Sequence, residues 1–556
     1  MIDPSTLQSL ATSLATPVAG ALPAVGLYAL RHRVGDAFGS PPGSVCLGRE
    51  IETRGGAHRT RKRRRDPRDM GFSERLVESS RAALLNRNLR IELVDRMLHT
   101  QIVAPTGAGK TGVMLPMAVQ DLLSGLTVFV LETGGNLGTD LLPYARALGR
   151  PVFCFDPGAE DTWIWNPLRG DPEKTAERAA STLEAIGGNQ EFFKHHNQTV
   201  LRAVVMAAHA HAQLTGQPAT LLTVSKIATD PRFRKKALGI TGDGNPKNGP
   251  VTCNNPSLTP AAREFWENRF YGDMSHDERT KFCASLKNLL DIVLFRPRVR
   301  KALCPDGDPS GREFDLEEAL SSGGLILMRM PLGPTGISTA RPLSVWALSI
   351  FEQIVFDRAE NAYPVMAYFD EIHNSIGKHN EAAAEEFTHF VTQARGFNVG
   401  CVFAYQGYQI LPESLRVVLA GGARNKIVLG GLDYDDALFV QRLCGDDVRH
   451  ARSTRRTREP FSLHAESLST TTTQEEAFRY SIEEIRSLPQ GDAICQPALR
   501  AQVQYPVLYR VRPEPPLDEF ADDARAARRR SARRRAARKT GKRSAPSGGP
   551  RGGGAG

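Results

Sequence analysis

Apolar and polar positions first fall into a regular order near residue 100. "TQIVA" (100–104) is a short β-rich run that predicts a strand. From Lys110 to Leu123 the apolar residues Val113, Met114, Met117, Ala118 and Leu122 recur at helical spacing, so a helix is expected there. "LTVFVLE" (126–132) is a continuous β-branched and aromatic run, typical of a buried parallel strand. "DLLPYARALG" then reads as a helix closed by Gly149, and "RPVFCFDP" as another strand. Strand, helix, strand, helix, strand between about 100 and 157 is the signature of a mostly parallel, doubly wound α/β sheet.

The pattern changes at Pro172. From there to about Pro297 the segments are mainly helical, with Val200, Leu201, Val204, Val205 and Ala208 on one face of "HNQTVLRAVVMAAHAHAQL". The α/β alternation returns with "GGLILMRMPL" (323–332), a long helix through Asp357, and the strands "PVMAYFDE", "FNVGCVFAYQ" and "NKIVLGGL". A polar Ser/Thr/Arg stretch (452–473) follows, then a last helix and two β-like runs. No internal repeat is found. The chain therefore divides into a leader (1–45), a basic linker and approach to the core (46–90), the first part of a nucleotide-binding domain (91–171), an inserted all-α domain (172–310), the second part of the nucleotide-binding domain (311–515) and a basic tail (516–556).

Composition narrows the picture. At roughly 100–200 residues per domain, 556 residues hold several units and a large core. The 8 cysteines are scattered without CxxC spacing, which argues against a zinc site or a disulfide framework and fits reduced thiols. Of the net charge of +10, 12 positive charges lie between Arg525 and Arg551, which contains no acid, so the rest of the chain carries −2. Ser5–Leu30 is free of charge but contains Gln8, Pro17, Pro23 and several hydroxyl residues. Two readings stand for it: a peripheral or disordered leader, or a single weak membrane span whose following "RTRKRRR" (59–65) keeps the body on the cytoplasmic side.

The chemistry concentrates in "APTGAGKTGV" (104–113). Against the phosphate-loop pattern G-x-x-x-x-G-K-[ST], Ala104 takes the first glycine position, and Gly109, Lys110 and Thr111 match. Such a loop curls its N–H groups around an anion, which glycine permits at low cost. The candidate nucleotide contacts are Pro105, Thr106, Gly107, Ala108, Gly109, Lys110, Thr111 and Gly112. Lys110 is expected to reach the β- and γ-phosphates of ATP, with Thr111 on Mg²⁺.

A phosphate-loop ATPase also needs a carboxylate ending another buried strand. "VMAYFDE" supplies Asp370 for the metal's water shell and Glu371 to activate the attacking water. Gln406 ends the next strand, where an amide can sense the γ-phosphate. The 260 residues from Lys110 to Asp370 exceed what a few strand–helix units of about 30 residues require, which marks the helical stretch as an insertion.

Taken in order, these blocks resemble the type IV coupling proteins, the TraG/TraD-like ATPases of conjugation and type IV secretion. The similarity runs from about Cys46 to Val511. "LGREIE", "HTQIVAPTGAGKT", "ARALGRPVFCFDPG" with "WNPL", "FDLEEALSSGGLILMRMPL", "YFDEIHNSIG", "QARGFNVGCVFAYQ" and "YSIEEIRSLPQGDAICQ" carry it. The resemblance implies a RecA-like P-loop fold and homo-hexameric rings coupling ATP hydrolysis to DNA transfer. It further implies a relaxase or relaxosome and secretion-channel proteins as partners, and a place at the cytoplasmic face of the cell membrane. Rings of this type set an arginine against the neighbour's γ-phosphate, and Arg395 and Arg424 are the candidates. Two departures stand out. "LETGGN" (131–136) keeps a carboxylate in Glu132 but lacks the family's lysine, and the usual pair of N-terminal membrane helices is missing.

The Arg/Ala-rich tail binds phosphates without reading sequence, unless it only solubilises the chain or meets anionic lipid. His195, His196, His209 and His211 are not read as a metal site. Two rival readings remain: a partitioning or repair pump of the same superfamily, and a nucleotide-binding scaffold that does not hydrolyse.

Overall fold

The computed structural model describes residues 45–50, 88–187, 196–242, 249–305, 312–359, 362–377, 381–458, 466–499 and 502–511, with Pro513, Leu517 and Phe520. Ser5–Leu30, Arg59–Arg65 and the tail from Arg525 lie outside the described residues. No helix among the described residues is long and apolar enough to cross a membrane.

The strands are β1 (Val45–Glu50), β2 (Asn88–Ile91), β3 (Thr100–Val103), β4 (Thr127–Glu132), β5 (Val152–Phe155), β6 (Leu325–Arg329), β7 (Val365–Asp370), β8 (Val399–Tyr405), β9 (Asn425–Leu429), β10 (Asp446–Arg458), β11 (Glu466–Phe478), β12 (Asp492–Gln496) and β13 (Val507–Val511). Eleven of them form one sheet in the order β2-β1-β13-β12-β9-β3-β8-β7-β4-β6-β5. From β9 to β5 every neighbouring pair is parallel. The other four join that block antiparallel.

Alternation along β4 explains its unbroken apolar run. Phe129 and Leu131 belong to the core on one face of the sheet, and Val128 and Val130 to the core on the other. Both faces are covered, so the middle of the strand is apolar, and the polar Thr127 and Glu132 at its ends are buried with hydrogen-bond partners. Helices α1 (Lys110–Ser124) and α2 (Leu137–Leu148) cover one face. On α1 the predicted stripe Val113, Met114, Met117, Ala118 and Leu122 is buried, each larger side chain contributing about 1.5–3 kcal/mol. Gln120 of α1 accepts from the Cys46 N–H at 2.9 Å and donates to the Cys46 carbonyl at 3.3 Å, which fastens β1 to the helix.

The helical segments follow as α3 (Pro172–Gly187), α4 (His196–Thr215), α5 (Leu221–Thr229), α6 (Pro231–Leu238), α7 (His276–Leu294) and α8 (Pro297–Leu303). Local signals set their starts: Asp171 caps α3, Thr220 caps α5, Asp230 caps α6, and Ser275 with Glu278 forms a capping box on α7. Their buried faces merge into the core beneath α9 (Ile337–Phe356), and Arg178 of α3 donates to Asp357 at 2.7 Å just past that helix. His209 is buried with its Nε2 2.7 Å from Thr175 Oγ1, and His211 lies edge-on to Phe233.

The polar Ser/Thr/Arg stretch (452–473), to which the sequence assigned no element, is part of a long β-ribbon. β10 and β11 are thirteen residues each and pair antiparallel, from Asp446 with Phe478 to Arg458 with Glu466. Threonines are β-branched and suit extended strands, yet a run of them carries no apolar periodicity to read.

Candidate functional site

Parallel strands present their carboxyl ends on one edge, and there the candidate residues gather. β3 runs into the loop 104–109 and α1. Ala104, at the first glycine position, continues the strand instead of turning: its N–H donates to the Tyr405 carbonyl at 3.1 Å. Left-handed backbone falls on Gly107 (φ 82°) and Gly109 (φ 103°), where a side chain would be strained. That places the turn where the glycines stand and explains why alanine suffices at position 104.

β8 lies beside β3, and β7 beside β8. Asp370 pairs with Ala404 on one side and Glu132 on the other, so the carboxyl ends of three strands lie in register. Lys110, buried, donates to the Ala104 carbonyl at 2.9 Å and forms an ion pair with Glu371 Oε1 at 3.0 Å. The other carboxylate oxygen of Glu371 accepts from Gln406 Nε2 at 3.0 Å and lies 3.2 Å from His373 Nε2. Glu371 itself takes left-handed backbone (φ 56°), which costs a non-glycine residue about 1–2 kcal/mol. The turn delivers its carboxylate to the lysine, opening the short helix α10 (Ile372–Ile376).

Asp370 is 3% exposed. Burial, and then the neighbouring Glu371 charge, push its carboxyl up to about 6 against the pull of Lys110. Glu132 is fully buried, and burial pushes it up to about 7 although Arg329 opposes the shift. His373 is lowered, chiefly by burial.

The divergent "LETGGN" segment packs against this site. Glu132 accepts from the Gly138 N–H at 2.9 Å and meets Arg329 Nε at 2.9 Å, while Arg329 also reaches Asp156 at 3.3 Å. Arg329, the cation that meets Glu132, ends β6, the neighbouring strand. A Cβ built at Gly135 would stand 1.9 Å from Asp370 Oδ2, so only glycine lets the loop lie this close to that carboxylate.

The loop residues fit a phosphate. Lys110 already holds an anion, the Glu371 carboxylate, and open space lies where a Cβ at Gly107 or Gly112 would be. Thr111 and Asp370 carry the oxygen donors that Mg²⁺ prefers. No group of three or more His, Cys, Asp or Glu able to hold a metal occurs among the described residues, so such an ion would draw further ligands from phosphate and water.

Arg395 and Arg424 are not part of this cluster. They are exposed and precede β8 and β9, at the amino ends of strands whose carboxyl ends face the loop. Seven residues of β8 at about 3.3 Å each separate Arg395 from that edge. His373, Arg329 and Asp156 were missed in the sequence. Their only signal was position at or near a strand end, and it acquires meaning once strand order is known.

No family model and no curated protein matches the chain. Among solved structures the chain is similar to the bacterial conjugative coupling protein TrwBdeltaN70. With the unbound monoclinic form the TM-score is 0.50 at 15% identity, over 77% of this chain and 89% of that one. With the trigonal form in complex with sulphate it is 0.50 at 14% identity, over 76% and 87%. At such identity the likeness is one of fold: a RecA-like α/β P-loop architecture with a helical insertion, as the sequence resemblance implied.

Proposed function

We propose that this chain is an ATP-hydrolysing coupling protein, a motor that delivers DNA to the channel of a conjugation or type IV secretion system. The observation that carries the reading is the convergence of Lys110, Asp370, Glu371 and Gln406 at the carboxyl ends of adjacent parallel strands, beside a glycine turn open to an anion.

In this reading the main-chain amides of 105–112 and the Lys110 ammonium hold the β- and γ-phosphates. Thr111, and Asp370 through water, would hold Mg²⁺, which would offset phosphate charge when bound. As phosphate takes Lys110, Glu371 is released, and it accepts the proton of the attacking water. Gln406, already bonded to Glu371, couples that carboxylate to the γ-phosphate. Arg395 or Arg424 serves the γ-phosphate of a neighbouring subunit in a homo-hexamer. The helical insertion meets the relaxosome, and the machine works at the cytoplasmic face of the cell membrane.

The test is ATP turnover by the purified chain with and without DNA. Turnover raised by DNA is expected. Turnover indifferent to DNA would replace the DNA motor with a coupler of protein substrates, and no turnover would leave a nucleotide-binding scaffold.

A further inference from the structure

The segment from Phe295 to Lys301 joins α7 to α8 and reads "FRPRVRK". Phe295 is 83% exposed, the most exposed of the large apolar side chains among the described residues. Arg296, Arg298, Arg300 and Lys301 are exposed around it, while Val299, Ala302 and Leu303 are buried and hold α8 down. Among the described residues, the carboxylate found against this group is Glu160, 3.5 Å from Arg298, with both side chains largely solvated. An ion pair of that kind holds the arginine weakly. The Phe295 ring takes no part in core packing, and its faces stand free in water within a run of four cations.

The segment is also tied to the nucleotide edge of the sheet. Arg296 packs over the loop that follows β6: a Cβ at Gly336 (φ 82°) would stand 2.2 Å from its Nη2. Thr339 of α9 donates to the Ile292 carbonyl at 3.1 Å, latching the end of α7 to the start of α9. β6 ends in Arg329, the partner of Glu132, which lies in register with Asp370. A continuous path of contacts thus joins the candidate hydrolysis site to this patch.

We infer that Phe295, Arg298, Arg300 and Lys301 form a contact surface for single-stranded nucleic acid, with a base stacked on the Phe295 ring and phosphates held by the cations. The inference rests on the DNA-motor reading and specifies which form of DNA the moving part holds. Single strands are favoured because a free ring face can stack only on an unstacked base, and such stacking tolerates any sequence. Arg and Lys bound to phosphates release counterions, so binding weakens with salt.

The experiment uses the full chain, so the basic tail is present throughout. An oligothymidylate carrying 4-thiothymidine is photocrosslinked and the adduct mapped by peptide mass. An adduct within residues 295–301 is expected. Phe295→Ala should weaken oligothymidylate binding about tenfold in anisotropy while leaving a duplex of the same length unaffected. An Arg298→Ser/Arg300→Ser/Lys301→Ser variant should flatten the salt dependence on single strands by about 2 in logarithmic slope. These side chains are exposed, and unchanged thermal melting controls for folding. Adducts confined to Arg525–Arg551, or equal losses on single strand and duplex, would overturn the inference. So would a fall in oligomer mass for Phe295→Ala with oligothymidylate affinity intact, which would make the patch a contact between copies. DNA-stimulated turnover with adducts elsewhere would sink this surface alone. An adduct here without DNA-stimulated turnover would sink the motor reading alone.

Discussion

Lys110 and Glu371 grip each other at 3.0 Å, and that pair sets what single substitutions should do. The lysine is buried and would be costly to leave alone, and the Glu371 carboxylate occupies it. Lys110→Ala removes the ammonium group that stands at the loop. It should lower ATP turnover by at least about 100-fold, as loss of a preorganised charge partner does, with circular dichroism unchanged. Undiminished turnover would remove the phosphate-loop assignment. Glu371→Gln keeps the shape and the Gln406 contact but cannot take a proton. It should bind ATP, measured by filter retention, and hydrolyse it about 100- to 10,000-fold more slowly. Normal hydrolysis would mean another group is the base.

At the scale of elements, the strand ends act together. Glu132, Arg329 and Asp370 are far apart in the chain, yet register places them side by side, with Gln406 two residues past Ala404, the partner of Asp370. Glu132 offers a pH test. Its folded value, about 7, lies above the ordinary 4.5, so its stabilising contribution is complete below the lower value and is lost as pH rises toward the upper one. Glu132→Gln removes this titration. Relative to the wild type, the variant's stability by denaturant melts should improve between pH 4.5 and pH 7, at up to roughly 1.4 kcal/mol per pH unit. A constant difference across that window would show that Arg329 keeps the group charged throughout. The strand and helix positions around this site were largely legible, because both periodicities are local. The ribbon of β10 and β11 was not, because its polar Ser/Thr/Arg sequence carries no apolar stripe.

For the whole molecule, charge is segregated. The tail carries 12 positive charges and the remaining chain −2, so non-specific attraction to DNA should depend strongly on Arg525 onward. Truncation before Arg525 should weaken duplex DNA binding and reduce its salt slope, by about 0.9 for each phosphate the tail had neutralised. An unaltered slope in a salt titration would reduce the tail to an aid to solubility. The helical insertion lies along the sheet face opposite α1 and α2, sharing its core with α9. Stiff packing of this kind transmits small displacements rather than absorbing them.

By itself, the sequence determined the glycine turn with its lysine, the alternation of strands and helices, the interrupting helical stretch and the location of the excess charge. Each is written in neighbouring residues, through spacing, propensity or composition. Only the tertiary structure decided that β8 and β7 lie between β3 and β4, that Glu371 grips Lys110, that Arg329 serves Glu132, and that Phe295 stands in water among cations. Strand order is set by which faces bury best across the whole chain, and no window of neighbouring residues contains that competition.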